Sequence, residues 1–229
     1  PRLLNLINRF RQTDEASYAA SLLIDTYQKE GDWANVRAYT QEFITYPVGD
    51  GPGGFSNVLE GSTFKIAYEM TEDAMALEAE GKHEEASLHR EGVAEAFLRF
   101  IEEFGEESEY SKAALYNAAF NYQIAGKAER ANELFEAYLN KYPNDELSKP
   151  LYFQIAANYE STFELEKAVG YYELLAKEFP YGVDSGNALY NAAFLKNGLG
   201  DHLGAAETFE RYATQAPFSE SEDRESVHF

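Results

Sequence analysis

The heptapeptide ALYNAAF occurs twice, at residues 114–120 and 188–194, and this duplication constrains the fold more than any other feature. The copies start 74 residues apart, and midway between them, from residue 151, the chain reads LYFQIAANYE, a divergent version of the same phrase. The closing phrases YLNKYP, LLAKEFP and YATQAP end at Pro143, Pro180 and Pro217, each 37 residues after the last. A fixed period of this length is typical of repeat architectures, in which each unit packs mainly on its neighbours.

Each 37-residue unit predicts two helices joined by a turn. Apolar residues recur at helical spacing, as in Leu115, Ala118 and Tyr122. Glycines at 126 and 200 suit a left-handed backbone conformation at a helix end, and the prolines stop the second helix of each pair. Each unit is therefore predicted to be a helix hairpin.

The three units resemble tetratricopeptide repeats. That family pairs a large residue, a small pair and an aromatic on the first helix with a small residue, an aromatic and a closing proline on the second. The matching residues are Leu115, Ala118, Ala119, Tyr122, Ala131, Phe135 and Pro143; Tyr152, Ile155, Ala156, Tyr159, Ala168, Tyr172 and Pro180; and Leu189, Ala192, Ala193, Lys196, Ala205, Phe209 and Pro217. The signature Trp is missing, Phe163 replaces one turn glycine, and Lys196 replaces one aromatic.

The resemblance implies an all-α, right-handed α-solenoid (superhelix) of about five helix hairpins. The predicted units are 12–47, 55–105, 110–143, 148–180 and 185–217, with 218–229 opening a further unit and residues 3–11 ending a preceding one. The chain is expected to be a fragment of a longer array. Its period and its YP or FP endings resemble bacterial cell-envelope repeat proteins of the outer-membrane assembly lipoprotein and Tol-partner types, which favours a periplasmic location and leaves a cytoplasmic one open.

Charge is concentrated in one part of the chain. The whole chain has 40 acidic and 19 basic residues, a net charge of -21, and residues 51–110 contribute a net -11. Such a field repels nucleic acid and anionic lipid and favours a basic or neutral partner. No apolar run is long enough to cross a bilayer, so direct membrane insertion is not expected.

The sequence offers little chemistry for an enzyme. With no Cys there is no thiol nucleophile, disulfide or thiolate zinc site. Residues 49–54 satisfy GxGxxG, but no strand precedes them and Pro52 lacks an N–H, so they are interpreted as a connector. His83 and His89 fall on opposed helix faces, and neighbouring carboxylates diverge by about 100° on a helix. We predict no catalytic activity, cofactor or metal site.

The resemblance also implies where a partner binds, since the first helices of such repeats line a concave face that takes a peptide. An aromatic groove would suit an apolar or aromatic segment. The predicted binding residues are Tyr116, Phe120, Gln123, Phe153, Asn187, Tyr190, Phe194 and Asn197, with Ile124, Ala157 and Glu160 on the same stripes.

The predicted function is thus a protein-interaction scaffold that holds a peptide or partner domain, with the acidic segment as a second surface. The alternative is a structural spacer or self-assembling solenoid with an empty groove. The apparent lack of polar end caps also predicts self-association through the terminal repeats.

Overall fold

The computed structural model describes residues 2–11, 13–46, 54–181 and 183–214, which form eleven helices and no strand. The helices are α1 (Arg2–Arg9), α2 (Asp14–Glu30), α3 (Trp33–Glu42), α4 (Gly54–Ala79), α5 (His83–Phe104), α6 (Ser111–Ile124), α7 (Ala128–Lys141), α8 (Ser148–Ser161), α9 (Leu165–Glu178), α10 (Val183–Gly198) and α11 (His202–Thr214). The predicted all-α class is confirmed. The chain divides into two compact units, Pro1–Ala118 (unit 1) and Ala119–Phe229 (unit 2).

Unit 1 contains α1 to α5 and the beginning of α6, and consecutive helices from α1 to α5 pack on one another. The buried residues Ile24, Val36 and Phe43 belong to one apolar core shared by α1, α2, α3 and the start of α4. The longer α4–α5 hairpin is held by aromatic rings. The ring of Phe64 lies 5.4 Å from that of Phe97 and 5.0 Å from that of Tyr110, between ring centroids.

Unit 2 continues the same pattern from the end of α6 to α11. Consecutive helices from α7 to α11 pack on one another, and α8 also contacts α10, so the first helices of neighbouring hairpins touch. Ala156 of α8 and Ala188 and Ala192 of α10 are fully buried in a core that includes Tyr172 and Leu175 of α9. Small residues on the first helices therefore allow close packing, as the ALYNAAF repeat suggested.

The turns within the hairpins follow the predicted glycines. Gly126 and Gly200 have φ values of 75° and 87°, in the left-handed region where a side chain is strained. Phe163 takes the same place between α8 and α9 with φ of 62°, and its side chain is 86% exposed. The middle turn thus keeps the glycine geometry without a glycine, at a cost in backbone strain.

The link from one hairpin to the next is closed by a serine that recurs every 37 residues. The buried side chains of Ser111, Ser148 and Ser185 each donate a hydrogen bond to the carbonyl oxygen six residues earlier. The Ser111–Gly105 and Ser148–Tyr142 bonds are both 2.6 Å long. These carbonyls lie just past a helix end. The Gly105 and Tyr142 oxygens also accept a backbone N–H, from Ser108 at 3.4 Å and from Asp145 at 3.0 Å, so the serine hydroxyl is a second donor that fixes the link to the next helix.

Several sequence predictions concern residues outside the described ranges. These are the connector at 49–53, the closing Pro217 and the possible further unit at 218–229. Residues 3–11, predicted to be helical, form α1 as far as Arg9.

Candidate functional site

The predicted binding residues in unit 2 lie on its first helices: the end of α6, α8 and α10. Phe120, Ala157 and Phe194 occupy equivalent positions at 37-residue steps, and Phe153 and Tyr190 are likewise equivalent. Phe194 is 63% exposed, whereas Phe120 and Tyr190 are 37% and 38% exposed. We call these first-helix residues and their neighbours on the same stripes the aromatic face: Phe120, Gln123, Phe153, Ala157, Glu160, Asn187, Tyr190, Phe194 and Asn197.

Two of the aromatic residues also pack inside their own hairpins. The ring of Phe153 meets Tyr172 of α9 edge-on with 5.1 Å between centroids. The ring of Tyr190 meets Phe209 and Tyr212 of α11 at 5.8 Å each. Such edge-to-face pairs stabilise packing, so these two residues serve the helix interface and offer only part of their surface outwards.

Gln123 and Asn158 form a chain of amide hydrogen bonds between repeats. The Nε2 of Gln123 donates to Oε1 of Gln154 at 2.7 Å and to Oδ1 of Asn158 at 2.9 Å. Asn158 is buried and in turn donates to Oδ1 of Asn132 on α7 at 2.8 Å. Gln123 therefore joins α6 to α8, which the sequence reasoning missed because it assigned this side chain to a ligand.

The remaining predicted residues have separate surroundings. Asn187 and Asn197 are exposed on α10, and Oδ1 of Asn197 lies 2.8 Å from Nδ1 of His202. Tyr116 is half-buried and belongs to unit 1. Within unit 2, then, Phe194 is the most exposed of the predicted aromatic residues.

Most charges on the first helices of unit 2 are already paired. Nζ of Lys149 lies 2.9 Å from Oδ2 of Asp184. Nζ of Lys196 lies 2.5 Å from Oε1 of Glu173 and 3.1 Å from Oγ1 of Thr208. The lysine that replaces the family aromatic is thus accommodated because α9 and α11 supply its partners, which compensates for its partial burial.

Glu160 differs from the paired charges because its hydrogen-bond partner is neutral. Its Oε2 accepts a hydrogen bond from the hydroxyl of Tyr172 at 3.1 Å. Burial and the nearby Glu160 carboxylate raise the pKa of Tyr172 to about 12, so the phenol stays protonated at neutral pH. The hydrogen bond therefore comes from a neutral hydroxyl and brings no positive charge to the Glu160 carboxylate.

A second carboxylate in unit 2 holds two tyrosines at the junction of α7, α8 and α9. Oε1 of Glu136 accepts hydrogen bonds from the hydroxyls of Tyr159 at 3.0 Å and Tyr171 at 2.7 Å. Burial and the Glu136 carboxylate raise the pKa of both tyrosines. This cluster fastens three helices together, and no repeat signature pointed to it.

Among the described residues, no group of three His, Asp or Glu side chains could hold a metal ion. His83 and His89 both lie on α5.

The described helices include none with an apolar stretch that could span a bilayer.

The sequence model of the tetratricopeptide repeat matches residues 113–145 and 187–219. These segments contain the two copies of the hairpin that begin with ALYNAAF, and their helices are α6 with α7 and α10 with α11. These two segments are tetratricopeptide repeats. No curated protein matches it.

Solved repeat structures are similar over most of the chain. A kinesin light chain from Podosopora anserina with nearly identical TPR-like repeats is 17% identical, with 89% of this chain and 97% of that one covered and a TM-score of 0.49. MamA from Desulfovibrio magneticus is 14% identical, with 92% and 99% covered and a TM-score of 0.45. PilW, a type IV pilus biogenesis factor, is 13% identical, with 94% and 99% covered and a TM-score of 0.47. These distant likenesses carry no conclusion about partners.

Proposed function

We propose that this tetratricopeptide-repeat protein is a non-enzymatic scaffold that binds a peptide or partner domain through the aromatic face of unit 2. The observation that carries the proposal is Phe194, a large apolar side chain that is 63% exposed on a first helix. Its equivalent on α6, Phe120, is 37% exposed, so the feature recurs in the repeat. Exposed aromatic side chains arranged on a rigid helical surface are the anchors that protein interfaces commonly use.

The surroundings of Phe194 support binding to an apolar segment. Tyr190, one turn earlier on α10, is 38% exposed and backed by Phe209 and Tyr212, so it is held in place by packing. Asn187 and Asn197 flank this pair with exposed amide groups. A fixed aromatic surface bordered by amides can bury apolar side chains of a partner while it hydrogen-bonds to the partner's main chain. A bacterial envelope setting remains a prediction from the repeat period and its endings.

The proposal is tested by comparing partner capture by the wild-type protein and by Phe194→Ala. Removing a hot-spot aromatic side chain costs about 2 kcal/mol or more of binding free energy, which is about a thirtyfold loss of affinity. The matched control is Leu203→Ala, because Leu203 is 75% exposed but lies on a second helix, α11. Phe120→Ala tests the equivalent position on α6.

A partner that is retained by Leu203→Ala and lost by Phe194→Ala supports the proposal. If Phe194→Ala and Phe120→Ala fold normally and keep every partner, the scaffold uses another surface or is a spacer with an empty groove. Circular dichroism and urea unfolding establish that each variant is folded before its binding is compared.

A further inference from the structure

Glu160 is the unneutralised charge on the aromatic face. On the first helices of unit 2, the described charged residues Lys149, Asp184 and Lys196 are all in ion pairs, whereas Glu160 is exposed and has no cation as partner. Its hydrogen bond from the Tyr172 hydroxyl orients the carboxylate and leaves its charge in place. A fixed, oriented carboxylate on an otherwise neutral surface can select a cation in a partner.

The position of Glu160 in the repeat places this charge among apolar positions. Glu160 is equivalent to Gln123 on α6 and Asn197 on α10, so a neutral amide stands at the same position in both neighbouring repeats. One turn before it, Ala157 stands where the neighbouring repeats have Phe120 and Phe194. The middle repeat therefore has Ala157 where its neighbours have phenylalanine, and Glu160 where they have a neutral amide. The small side chain of Ala157 leaves room for a long side chain of a partner to reach Glu160.

The net charge of the whole protein predicts a different binding preference from that of Glu160. A net charge of -21 attracts any polybasic molecule at long range. Such attraction requires many basic groups, is screened by salt and does not depend on one carboxylate. Recognition at Glu160 requires one cation at one place, because the other described charges on the first helices of unit 2 are in ion pairs.

We infer that the segment bound on the aromatic face carries one Lys or Arg, flanked by uncharged apolar residues, whose charged group pairs with Glu160. This inference rests on the proposed function, because it specifies the chemistry of the partner at the same face. The apolar residues pack on Phe194 and Phe120, and the cationic side chain passes over Ala157 to the carboxylate. Glu160 is then a specificity-determining residue, and the aromatic residues supply most of the affinity.

The experiment is a selection of random dodecapeptides displayed on phage against the purified, immobilised protein at about 150 mM salt, where long-range attraction is screened within roughly 8 Å. Selections run in parallel on wild type, Glu160→Gln, Glu207→Gln and Phe194→Ala. The Glu160→Gln amide still accepts the Tyr172 hydrogen bond through its oxygen, so the fold is kept while the charge is removed. Glu207→Gln is the matched control, because Glu207 is an exposed carboxylate on α11, a second helix.

The expected result is that wild type and Glu207→Gln enrich apolar peptides with one Lys or Arg at a constant position. Glu160→Gln is expected to enrich apolar peptides without that preference. A synthetic wild-type-selected peptide should bind Glu160→Gln about three- to fivefold more weakly, as expected for one exposed ion pair. Replacing its Lys by norleucine should remove this difference between the two proteins.

Two results overturn the inference, and they are distinguishable from failure of the proposed function. If peptides selected by wild type depend on Phe194 but contain no basic residue, or show the same basic preference on Glu160→Gln, Glu160 does not select a cation. If no enriched peptide depends on Phe194, or if enrichment yields polybasic sequences equally on all four proteins, the aromatic face itself is not the binding surface.

Discussion

The long α4–α5 hairpin of unit 1 and the hairpins of unit 2 share one architecture but distribute charge differently. On α4, the exposed carboxylates Glu69, Glu72 and Asp73 lie within two helical turns. On the first helices of unit 2, charges are paired except at Glu160, and aromatic and amide side chains occupy the exposed stripe. Packing dictates only the buried positions of a repeat, so each hairpin can carry a different surface on the same framework.

The two regions also use different fastenings. In the long hairpin, the guanidinium of Arg90, whose side chain is 4% exposed, binds both carboxylate oxygens of Glu78 at 2.9 and 3.0 Å. In unit 2, neutral hydrogen bonds join helices beside the Lys196–Glu173 ion pair: Ser148 closes a hairpin link and Gln123 joins two first helices through amide groups. We therefore expect the loss of the Glu78 carboxylate to act on unit 1 through charge, and the loss of the Ser148 hydroxyl to act on unit 2 without a change of charge.

The largest effect is expected from Glu78→Ala, which leaves the buried Arg90 guanidinium without this carboxylate. We expect a loss of about 2–3 kcal/mol in the free energy of unfolding, because the buried guanidinium loses a bidentate carboxylate that offsets its desolvation cost. The fluorescence of Trp33, the single Trp, follows unfolding of unit 1 in urea. Glu95→Ala is the control, since its ion pair with Arg99 is exposed and should contribute only about 0.3–0.5 kcal/mol. Equal losses in the two variants would contradict the assigned role of Arg90.

The same ion pair predicts a pH dependence of stability. The hydrogen bond from Arg90 holds the pKa of Glu78 below its ordinary value of 4.5. The stabilisation is therefore complete above the unfolded pKa and is lost as the pH falls through the lower folded pKa. Urea unfolding followed by Trp33 should show that the difference between wild type and Glu78→Gln shrinks below about pH 4.5. A difference that stays constant down to pH 2 would show that the carboxylate charge is not involved.

A smaller loss, about 0.5–1.5 kcal/mol, is expected from Ser148→Ala in unit 2, because the Tyr142 carbonyl loses the buried hydroxyl donor and keeps only the N–H of Asp145. Circular dichroism during urea unfolding measures it, and added salt should leave the loss unchanged since both groups are neutral. Ser161→Ala is the control: its hydroxyl also donates to a carbonyl, that of Asn158, but Ser161 is exposed. The comparison between units fails if Ser148→Ala is neutral and Ser161→Ala is not.

The sequence predicted the hairpins because their signals are local and repeated. The period, the alanine pairs and the turn glycines at 126 and 200 each specify backbone geometry, and the structure confirms the helices and the left-handed turns. The serines at 111, 148 and 185 carry the same 37-residue signal, so their role was also detectable. The partners that side chains find on other helices could not be predicted. The Gln123–Asn158 and Lys196–Glu173 contacts depend on how the helices pack, and no regular spacing in the sequence indicates them. The binding residues remain a prediction.

A stabilising change is predicted where unit 2 departs from the repeat pattern. Phe163 holds φ of 62° while its side chain is 86% exposed, so Phe163→Gly relieves strain and loses little packing. The gain should be about 0.5–1 kcal/mol, since the greater freedom of glycine in the unfolded chain offsets part of it. The reciprocal Gly200→Ala, at φ of 87°, should lose about 1 kcal/mol. Urea unfolding measures the free energy of unfolding of both variants. A destabilised Phe163→Gly would show that Phe163 makes a contact that stabilises its turn.

The smallest effect concerns the acidic first helix of the long hairpin. Desolvation and the carboxylates of Glu72 and Asp73 raise the pKa of Glu69, which shows that the like charges on α4 oppose its ionisation. Asp73→Asn removes one repulsion between residues four apart and should stabilise unit 1 by about 0.2–0.5 kcal/mol at neutral pH. Carboxyl chemical shifts in NMR titrations should show the pKa of Glu69 falling while it stays above its ordinary value, since desolvation is the largest cause.

The change in stability of Asp73→Asn shows whether the carboxylates on α4 repel one another or are balanced by nearby cations. The gain should disappear as the pH falls and the carboxyls protonate, and high salt should reduce it. Glu207→Gln in unit 2 changes the net charge equally, but Glu207 precedes Arg211 by four residues on α11, so its removal should be neutral or slightly destabilising. If both variants gained equally, the net charge of the whole chain would explain the effect. A gain in stability confined to Asp73→Asn would show that neighbouring carboxylates on α4 repel one another, which the paired charges on the first helices of unit 2 do not.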